Sequence, residues 1–187
     1  MTDRDGEQEA GGERRRRRAP RPLGPESLDE LALGYVARFL TSRAKLCRYL
    51  TRKLKERGWA GEVPPDVEDI ADRLAAQNYL DDRVYAEAKA GGLLRRGYGG
   101  RRVGAALAEA GIGDEDRAGA MAEAERQAET AALRFAERKR IGPFAISELD
   151  RDAKAKALAA MVRAGHGFDL ARRIVAAPPG EPFVRAE

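Results

Sequence analysis

The sequence has 187 residues, of which 35% are charged and 6% aromatic, with a formal net charge of +4 at pH 7. Plentiful Gly and Ala with few β-branched residues disfavour a β-sandwich and favour packed helices. One Cys and one His exclude a disulfide framework and a zinc site built from Cys and His. No apolar run approaches the roughly 18 residues that span a membrane, and the N-terminus does not resemble a secretory signal. We therefore expect a cytoplasmic protein without a membrane segment.

Residues 1–25 are rich in Gly, Pro and charge and lack the apolar content that folding requires. We expect them to form a disordered arm. The arm contains five consecutive arginines, Arg14, Arg15, Arg16, Arg17 and Arg18. Such a run is typical either of a solvated tail or of an arm that binds nucleic acid, and the sequence leaves both open.

Three helices are expected in residues 26–80, which we take as a first module. Their start signals are Ser27 with Glu30 as a capping box, Thr41 or Ser42 as an N-cap, and Asp66 as an N-cap. Apolar residues recur at helical spacing after each start. Asn78 is expected to end the third helix in the left-handed conformation.

Two further modules are expected at residues 81–124 and 125–177. The second begins with Asp81 as N-cap and turns in the glycine-rich stretch 97–100. The third turns around residues 141–144, and the tail 178–187 is expected to be disordered.

The modules are related by an internal repeat, whose period marks a repeat architecture. Gly58, Gly111 and Gly165 lie 53 and 54 residues apart, and each follows an apolar i, i+4 stripe. A hydrophobic residue is expected to fold back on the last turn after each glycine, namely Trp59, Ile112 and Phe168. The predicted fold is all-α, with three tandem three-helix, helix-turn-helix-like modules in an elongated array.

Charge alternates in blocks along the modules. Since a solvated helical surface usually intersperses its signs, the blocks indicate an electropositive stripe with an acidic back. The alternative is that each block is a soluble helix face. The candidate residues for binding nucleic acid or a filament are Arg43, Lys45, Arg48, Arg52, Lys53, Arg95, Arg96, Arg101, Arg102, Arg138, Lys139 and Arg140.

Other motifs point to structural roles. The glycine-rich stretch 97–100 lacks the Gly-Lys-Ser/Thr of a nucleotide loop; it favours close helix approach, although its amides could hold a backbone phosphate. Asp81 and Asp82 are typical helix-capping groups, Cys47 lies on an apolar stripe, and His166 has no catalytic companions. We therefore predict no catalytic residue, metal or cofactor.

An ordered set of motifs resembles the RecX family, regulators of the bacterial recombinase RecA. Its parts in this sequence are Ser42-Arg43-Ala44-Lys45-Leu46, Arg57-Gly58-Trp59, Tyr79-Leu80-Asp81-Asp82, Tyr85-Ala86, Arg96-Gly97-Tyr98-Gly99, Arg101-Arg102-Val103 and Gly111-Ile112. The resemblance covers roughly residues 30–175, although the stretch 165–168 is longer than the family's usual ending. It implies helical modules lying along the groove of the RecA–single-stranded-DNA filament and restraining ATP hydrolysis, strand exchange and repressor self-cleavage, with no catalysis of its own.

Two functions remain in competition. The first is a filament regulator that contacts RecA and the backbone of single- and double-stranded DNA without sequence preference, acting as a monomer. The second is a DNA-binding helix-turn-helix protein, either a transcription or an architectural factor. The third helices of the first two modules begin with acids, which phosphate would repel, and this favours the filament regulator. The acids are Glu68, Asp69, Asp72, Asp114, Glu115 and Asp116.

Overall fold

The computed structural model describes residues 21–183, and the arginine run of residues 14–18 lies outside them. Nine α-helices and one 3-10 turn follow each other within the described range, which confirms the all-helical prediction. The helices are α1 (Pro25–Val36), α2 (Arg43–Arg57), α3 (Val67–Ala76), α4 (Asp82–Arg95), α5 (Gly100–Glu109), α6 (Asp114–Arg126), α7 (Ala128–Lys139), α8 (Arg151–Arg163) and α9 (Phe168–Ala176), with the 3-10 turn at Gly142–Phe144 between α7 and α8.

Buried side chains form three separate hydrophobic clusters. The first joins α1, α2 and α3 around Leu28 and Leu50, and the second joins α4, α5 and α6 around Leu94 and Leu107. The third joins α7, α8 and α9 around Met161. Helix α7 also serves the second cluster through Ala131, so adjacent modules share packing. Sharing is expected because a module of about 50 residues buries little apolar surface alone.

The N-terminal start of the fold differs from the sequence prediction. Leu23, placed by the sequence in a disordered arm, is fully buried, and its backbone bonds to Gly58 and Ala60 at 2.9 Å each. Helix α1 begins at Pro25, so Ser27 is its third residue and not its N-cap. The Ser27 hydroxyl accepts from the Gly24 amide at 2.9 Å, and no capping box with Glu30 forms. Leu23 belongs to the first hydrophobic cluster, and its two backbone hydrogen bonds hold this stretch beside Gly58 and Ala60.

The other predicted helix caps are confirmed. Ser42 caps α2, Asp66 caps α3 and Asp81 caps α4, each through a side-chain oxygen that accepts from a first-turn amide. Asn78 has a φ of 60° in the left-handed region, as expected. These predictions succeed because a cap depends on residues within one helical turn.

The repeat is confirmed at its glycines and corrected at its third hydrophobic residue. Gly58, Gly111 and Gly165 have φ values of 81°, 78° and 95° at the ends of α2, α5 and α8. The residue that folds back after Gly165 is His166, which is 2% exposed and whose amide donates to Met161 at 3.2 Å. Phe168 instead begins α9 and is 53% exposed. Histidine takes the place expected for a hydrophobic residue because most of its neutral ring is apolar.

The middle helices of the three modules contact one another at their ends. At the end of α8, the Ala164 and Gly165 carbonyls accept from the Gly99 and Arg101 amides at the start of α5, at 2.9 and 3.1 Å. At the end of α5, the Ala110 carbonyl accepts from the Ser42 hydroxyl at the start of α2, at 2.7 Å. Each junction satisfies carbonyls and donors that helix ends leave unpaired, and the helix dipoles meet with opposite signs.

The C-terminal segment also packs where the sequence predicted disorder. The Gly180 amide donates to the Pro143 carbonyl at 2.9 Å, and the Arg173 guanidinium lies 5.1 Å from the Phe183 ring. Residues 178–183 therefore lie against the third module. Within residues 21–183, no helix combines the length and the apolar character needed to cross a bilayer.

Candidate nucleic-acid interface

The first group of candidate bases lies on α2, whose buried face contains Leu46 and Leu50. Helical periodicity turns the bases away from that apolar stripe. Lys45 and Lys53 are half-buried, and Arg43, Arg48 and Arg52 are exposed. All five side chains therefore lie off the buried face of α2, as the sequence predicted.

Two of these bases, Lys45 and Arg48, also join the first module to the second, and Arg43 joins α2 to α3 within the first module. The Lys45 ammonium lies 5.1 Å from the centre of the Tyr85 ring, and Arg48 Nη2 donates to the Glu109 carbonyl at 3.1 Å. Arg43 forms an ion pair with Asp72. The sequence could not separate these contacts from free surface charge, because their partners come from other helices.

Asp82 has a role that the sequence analysis missed. Its Oδ1 accepts from the Arg43 amide at 2.9 Å, so it caps α2 from the start of α4. Partial burial raises the pKa of the Asp82 carboxyl, and the hydrogen bond from Arg43 opposes that shift. Asp81 caps its own helix and Asp82 a neighbouring one, so the adjacent carboxylates serve two modules.

The second group of bases lies around the turn between α4 and α5. Arg95 and Arg96 end α4, Arg101 and Arg102 begin α5, and all four are exposed. Among the carboxylates of residues 21–183, none forms an ion pair with these four guanidinium groups. Unpaired, exposed guanidinium groups are the side chains best suited to contact phosphate.

Tyr98 brings the bases of the second and third modules together. The Arg96 and Arg138 guanidinium carbons lie 5.6 and 5.9 Å from the centre of its ring. Arg138, on α7, also donates to the Arg96 carbonyl. The aromatic ring stabilises two like charges side by side through cation–π contacts. Lys139 and Arg140, also exposed, follow at the end of α7.

Most backbone amides of the turn already donate hydrogen bonds within the fold, among them those of Gly97 and Tyr98, which donate to Leu94 and Leu93. The Gly99 and Arg101 amides donate to carbonyls of the third module, and the Arg102 amide donates to Gly99 at 3.0 Å. The predicted close approach of helices at 97–100 is correct. The Gly99 and Arg101 amides cannot hold a phosphate in this arrangement, because both already donate across the module junction.

Trp59 and Cys47, to which the sequence analysis gave structural roles, pack against the protein. Trp59 lies against the first cluster, and its Nε1 donates to the Val63 carbonyl at 2.8 Å. Cys47 is half-buried on the same cluster, and burial raises the pKa of its thiol. Among residues 21–183, no group of three or more His, Cys, Asp or Glu side chains is arranged to hold a metal ion.

His166 connects the third module to the turn of the second. Its Nε2 lies 3.1 Å from the Gly97 carbonyl oxygen, and its ring meets Phe135 edge-on at 5.5 Å. Since a carbonyl can only accept, Nε2 carries the proton of the neutral ring. Burial lowers the pKa of His166, and the hydrogen bond to Gly97 only partly opposes that shift.

We expect His166 to make folding stability depend on pH. The unfolded histidine titrates near 6.5, and the folded one has a lower pKa. Between these two pKa values the unfolded state therefore binds more protons than the folded state. The free energy of unfolding should therefore fall as the pH drops from about 6.5 towards 5. Urea unfolding at several pH values measures this slope. His166→Gln, which retains a donor for Gly97, should flatten it, and an equal slope in both proteins would contradict the assignment.

Comparison with known proteins identifies the family. No family model matches the chain. The chain is 32% identical over 168 residues to the regulatory protein RecX of Myxococcus xanthus, an alignment that covers 86% of this chain and 90% of that protein. It is 34% identical over 111 residues to RecX of Mycobacteroides abscessus, covering 59% of this chain and 53% of that protein.

A solved structure shares the fold. The crystal structure of RecX from Lactobacillus salivarius superposes with a TM-score of 0.58 at 18% identity, and the match covers 80% of this chain and 93% of that one. The order of motifs, the repeat and the similarity to the Myxococcus xanthus protein over 86% of this chain agree. The chain therefore belongs to the RecX family of regulatory proteins.

Proposed function

We propose that this protein binds the RecA–single-stranded-DNA filament and modulates, mainly by inhibition, the ATPase, strand-exchange and coprotease activities of RecA in DNA repair and the SOS response. It acts as a binding protein without catalysis. One observation carries the proposal: exposed bases of two modules converge around Tyr98, where Arg96 and Arg138 share a ring and neither forms an ion pair with a carboxylate of residues 21–183. Membership of a family of regulatory proteins supports it.

The junctions between modules explain how such a surface would follow a filament. Hydrogen bonds at the ends of α5 and α8 hold the middle helices at fixed positions. Bases on successive modules therefore keep their spacing, which a groove with a regular repeat requires. We propose that the bases of α2 and those around Tyr98 face the same DNA strand. They contact phosphates, which position a protein without reading sequence.

The second candidate function is a helix-turn-helix protein on duplex DNA. It would place the third helix of a module in the major groove, with Arg, Asn or Gln towards base edges. Helix α6 instead begins with Asp114, Glu115 and Asp116, and the first turn of α3 contains Glu68 and Asp69. These carboxylates would be repelled by the phosphates that border the groove, so filament binding is the better supported function.

The proposal is tested by titrating the protein into RecA filaments on single-stranded DNA and following ATP turnover. We expect turnover to fall to a plateau at saturating protein. Unchanged turnover, together with tight and sequence-selective binding to one duplex, would support the second candidate instead.

Binding to single-stranded DNA should weaken steeply with salt. Each phosphate contact releases counterions, with a slope of about −0.7 per contact in log affinity against log salt. Five contacts would lower the affinity about 100-fold between 50 and 200 mM salt. Fluorescence anisotropy with oligonucleotides of scrambled sequence measures both the slope and the sequence independence. A flat salt response would show that the bases do not contact phosphate.

Deleting residues 1–20 should weaken binding to naked DNA but leave inhibition of RecA ATP turnover mostly intact. The arginine run adds five positive charges, so we expect it to add affinity for any DNA. The deletion stops before Leu23, since removing that buried residue would disturb the first module. Complete loss of inhibition at saturating protein would place the function in the arm.

A further inference from the structure

A groove runs between α1 and α3 on the side of the first module that carries its acids. Its wider part has a volume of about 410 Å³ and contains Leu33, Leu74 and Tyr79. A shallower part continues towards Pro25 and Trp59, where the described chain begins. Leu33 and Tyr79 are 45% and 53% exposed, so apolar surface is open along the groove.

The rim of the groove is strongly acidic. Its carboxylates are Glu26, Asp29, Glu30, Asp66 and Asp69, and its one base is Arg73. Arg73 is already held by Asp29 at 2.8 Å and by Asp69 at 3.4 Å. Glu26 and Glu30, one helical turn apart on α1, form no ion pair with a base of residues 21–183. A groove of this kind fits a cationic segment with long side chains.

We propose that the arginine run of this chain, residues 14–18, docks in the groove between α1 and α3. Arginine suits both parts of the surface, because its stem covers apolar side chains and its guanidinium pairs with carboxylates. Its planar head can also stack on Tyr79. The occupant is therefore a segment of the same molecule, and its docking covers the positive charge of the arm with the acids of the first module.

The arginine run and the groove along α1 have similar lengths. Leu23 is anchored beside Trp59, at the shallow end of the groove. Arg18 is five residues away, which an extended chain spans in at most about 17 Å. From Glu26 to Leu33, α1 rises about 10 Å at 1.5 Å per residue, and five extended arginines span about 14 Å. The Arg21 carbonyl accepts from Arg57 Nε at the end of α2, at 2.9 Å, so residues 19 and 20 would turn the chain back towards α1. The run is then long enough to reach along α1, with Arg14 near Leu33.

Disulfide trapping in the full chain tests the proposal. Cysteines replace Glu13 and Leu33, and Cys47→Ala removes the native thiol. The effective concentration of the two thiols is measured against a glutathione redox buffer. We expect Glu26→Gln with Glu30→Gln to lower it at least fivefold, and replacement of residues 14–18 by serine to lower it equally. The matched control is Glu115→Gln with Glu125→Gln on α6, both exposed, which should leave it unchanged.

The outcomes separate the possible occupants. If 1 M salt lowers the effective concentration of the two thiols to that of the serine variant, the result agrees with charge-driven docking, since salt screens exposed ion pairs. Equal effective concentrations in the groove, control and serine variants would show that the tether alone brings the thiols together and would overturn the proposal. Disulfides that form mainly between chains, rising with protein concentration, would overturn it in favour of a second copy as the occupant.

Discussion

Gly165→Ala should destabilise the protein by about 2–4 kcal/mol. The residue has a φ of 95°, where a Cβ is strained, and that Cβ would lie 2.4 Å from the Arg102 amide nitrogen. Left-handed backbone alone costs about 1–2 kcal/mol for a residue with a side chain, and a clash with backbone at a packed junction adds a similar amount. Urea denaturation measures the free energy of unfolding.

The matched control is Gly167→Ala, two residues further along the same turn. Gly167 has a φ of −62°, and a Cβ there would meet no heavy atom within 4 Å. Gly167 is the N-cap of α9, where Ala is less favourable than Gly. We expect a loss of at most about 1 kcal/mol, smaller than that of Gly165→Ala. Equal stability of the two variants would mean that the end of α8 does not pack closely against the start of α5.

The larger functional effect is expected at the turn between α4 and α5. Replacing Arg95, Arg96, Arg101 and Arg102 by glutamate should raise the concentration needed for half-inhibition of RecA ATP turnover by more than tenfold. Exposed guanidinium groups without ion pairs are available to phosphate, whereas glutamate at the same positions repels it. The effect is measured with RecA filaments on single-stranded DNA.

The control for this variant has the same change in net charge at exposed bases outside the candidate set. It replaces Lys55, Arg83, Lys156 and Arg163, all exposed, by glutamate. A loss shared equally by both variants would indicate a dependence on overall charge, not on the surface around Tyr98. Circular dichroism of each variant checks that its helices remain.

The local architecture was predictable because its signals act over one helical turn. Ser42, Asp66 and Asp81 cap the helices they precede. The glycines of the repeat have the left-handed conformation expected at helix ends. Side-chain caps and apolar periodicity need no knowledge of distant contacts. For the same reason the candidate bases could be placed on the outer faces of their helices.

The sequence by itself therefore determined the helices, their order and the period of the modules. Tertiary structure alone decided how the modules join, because those contacts link residues far apart in the chain. Ser42 meets Ala110, and His166 meets Gly97, across 68 and 69 residues. It also decided which bases remain free: Arg48 binds a carbonyl of the second module, whereas Arg101 and Arg102 have no carboxylate partner in residues 21–183. A charge pattern predicts which side chains face outwards, but the partner of each depends on helices that only the folded chain brings together.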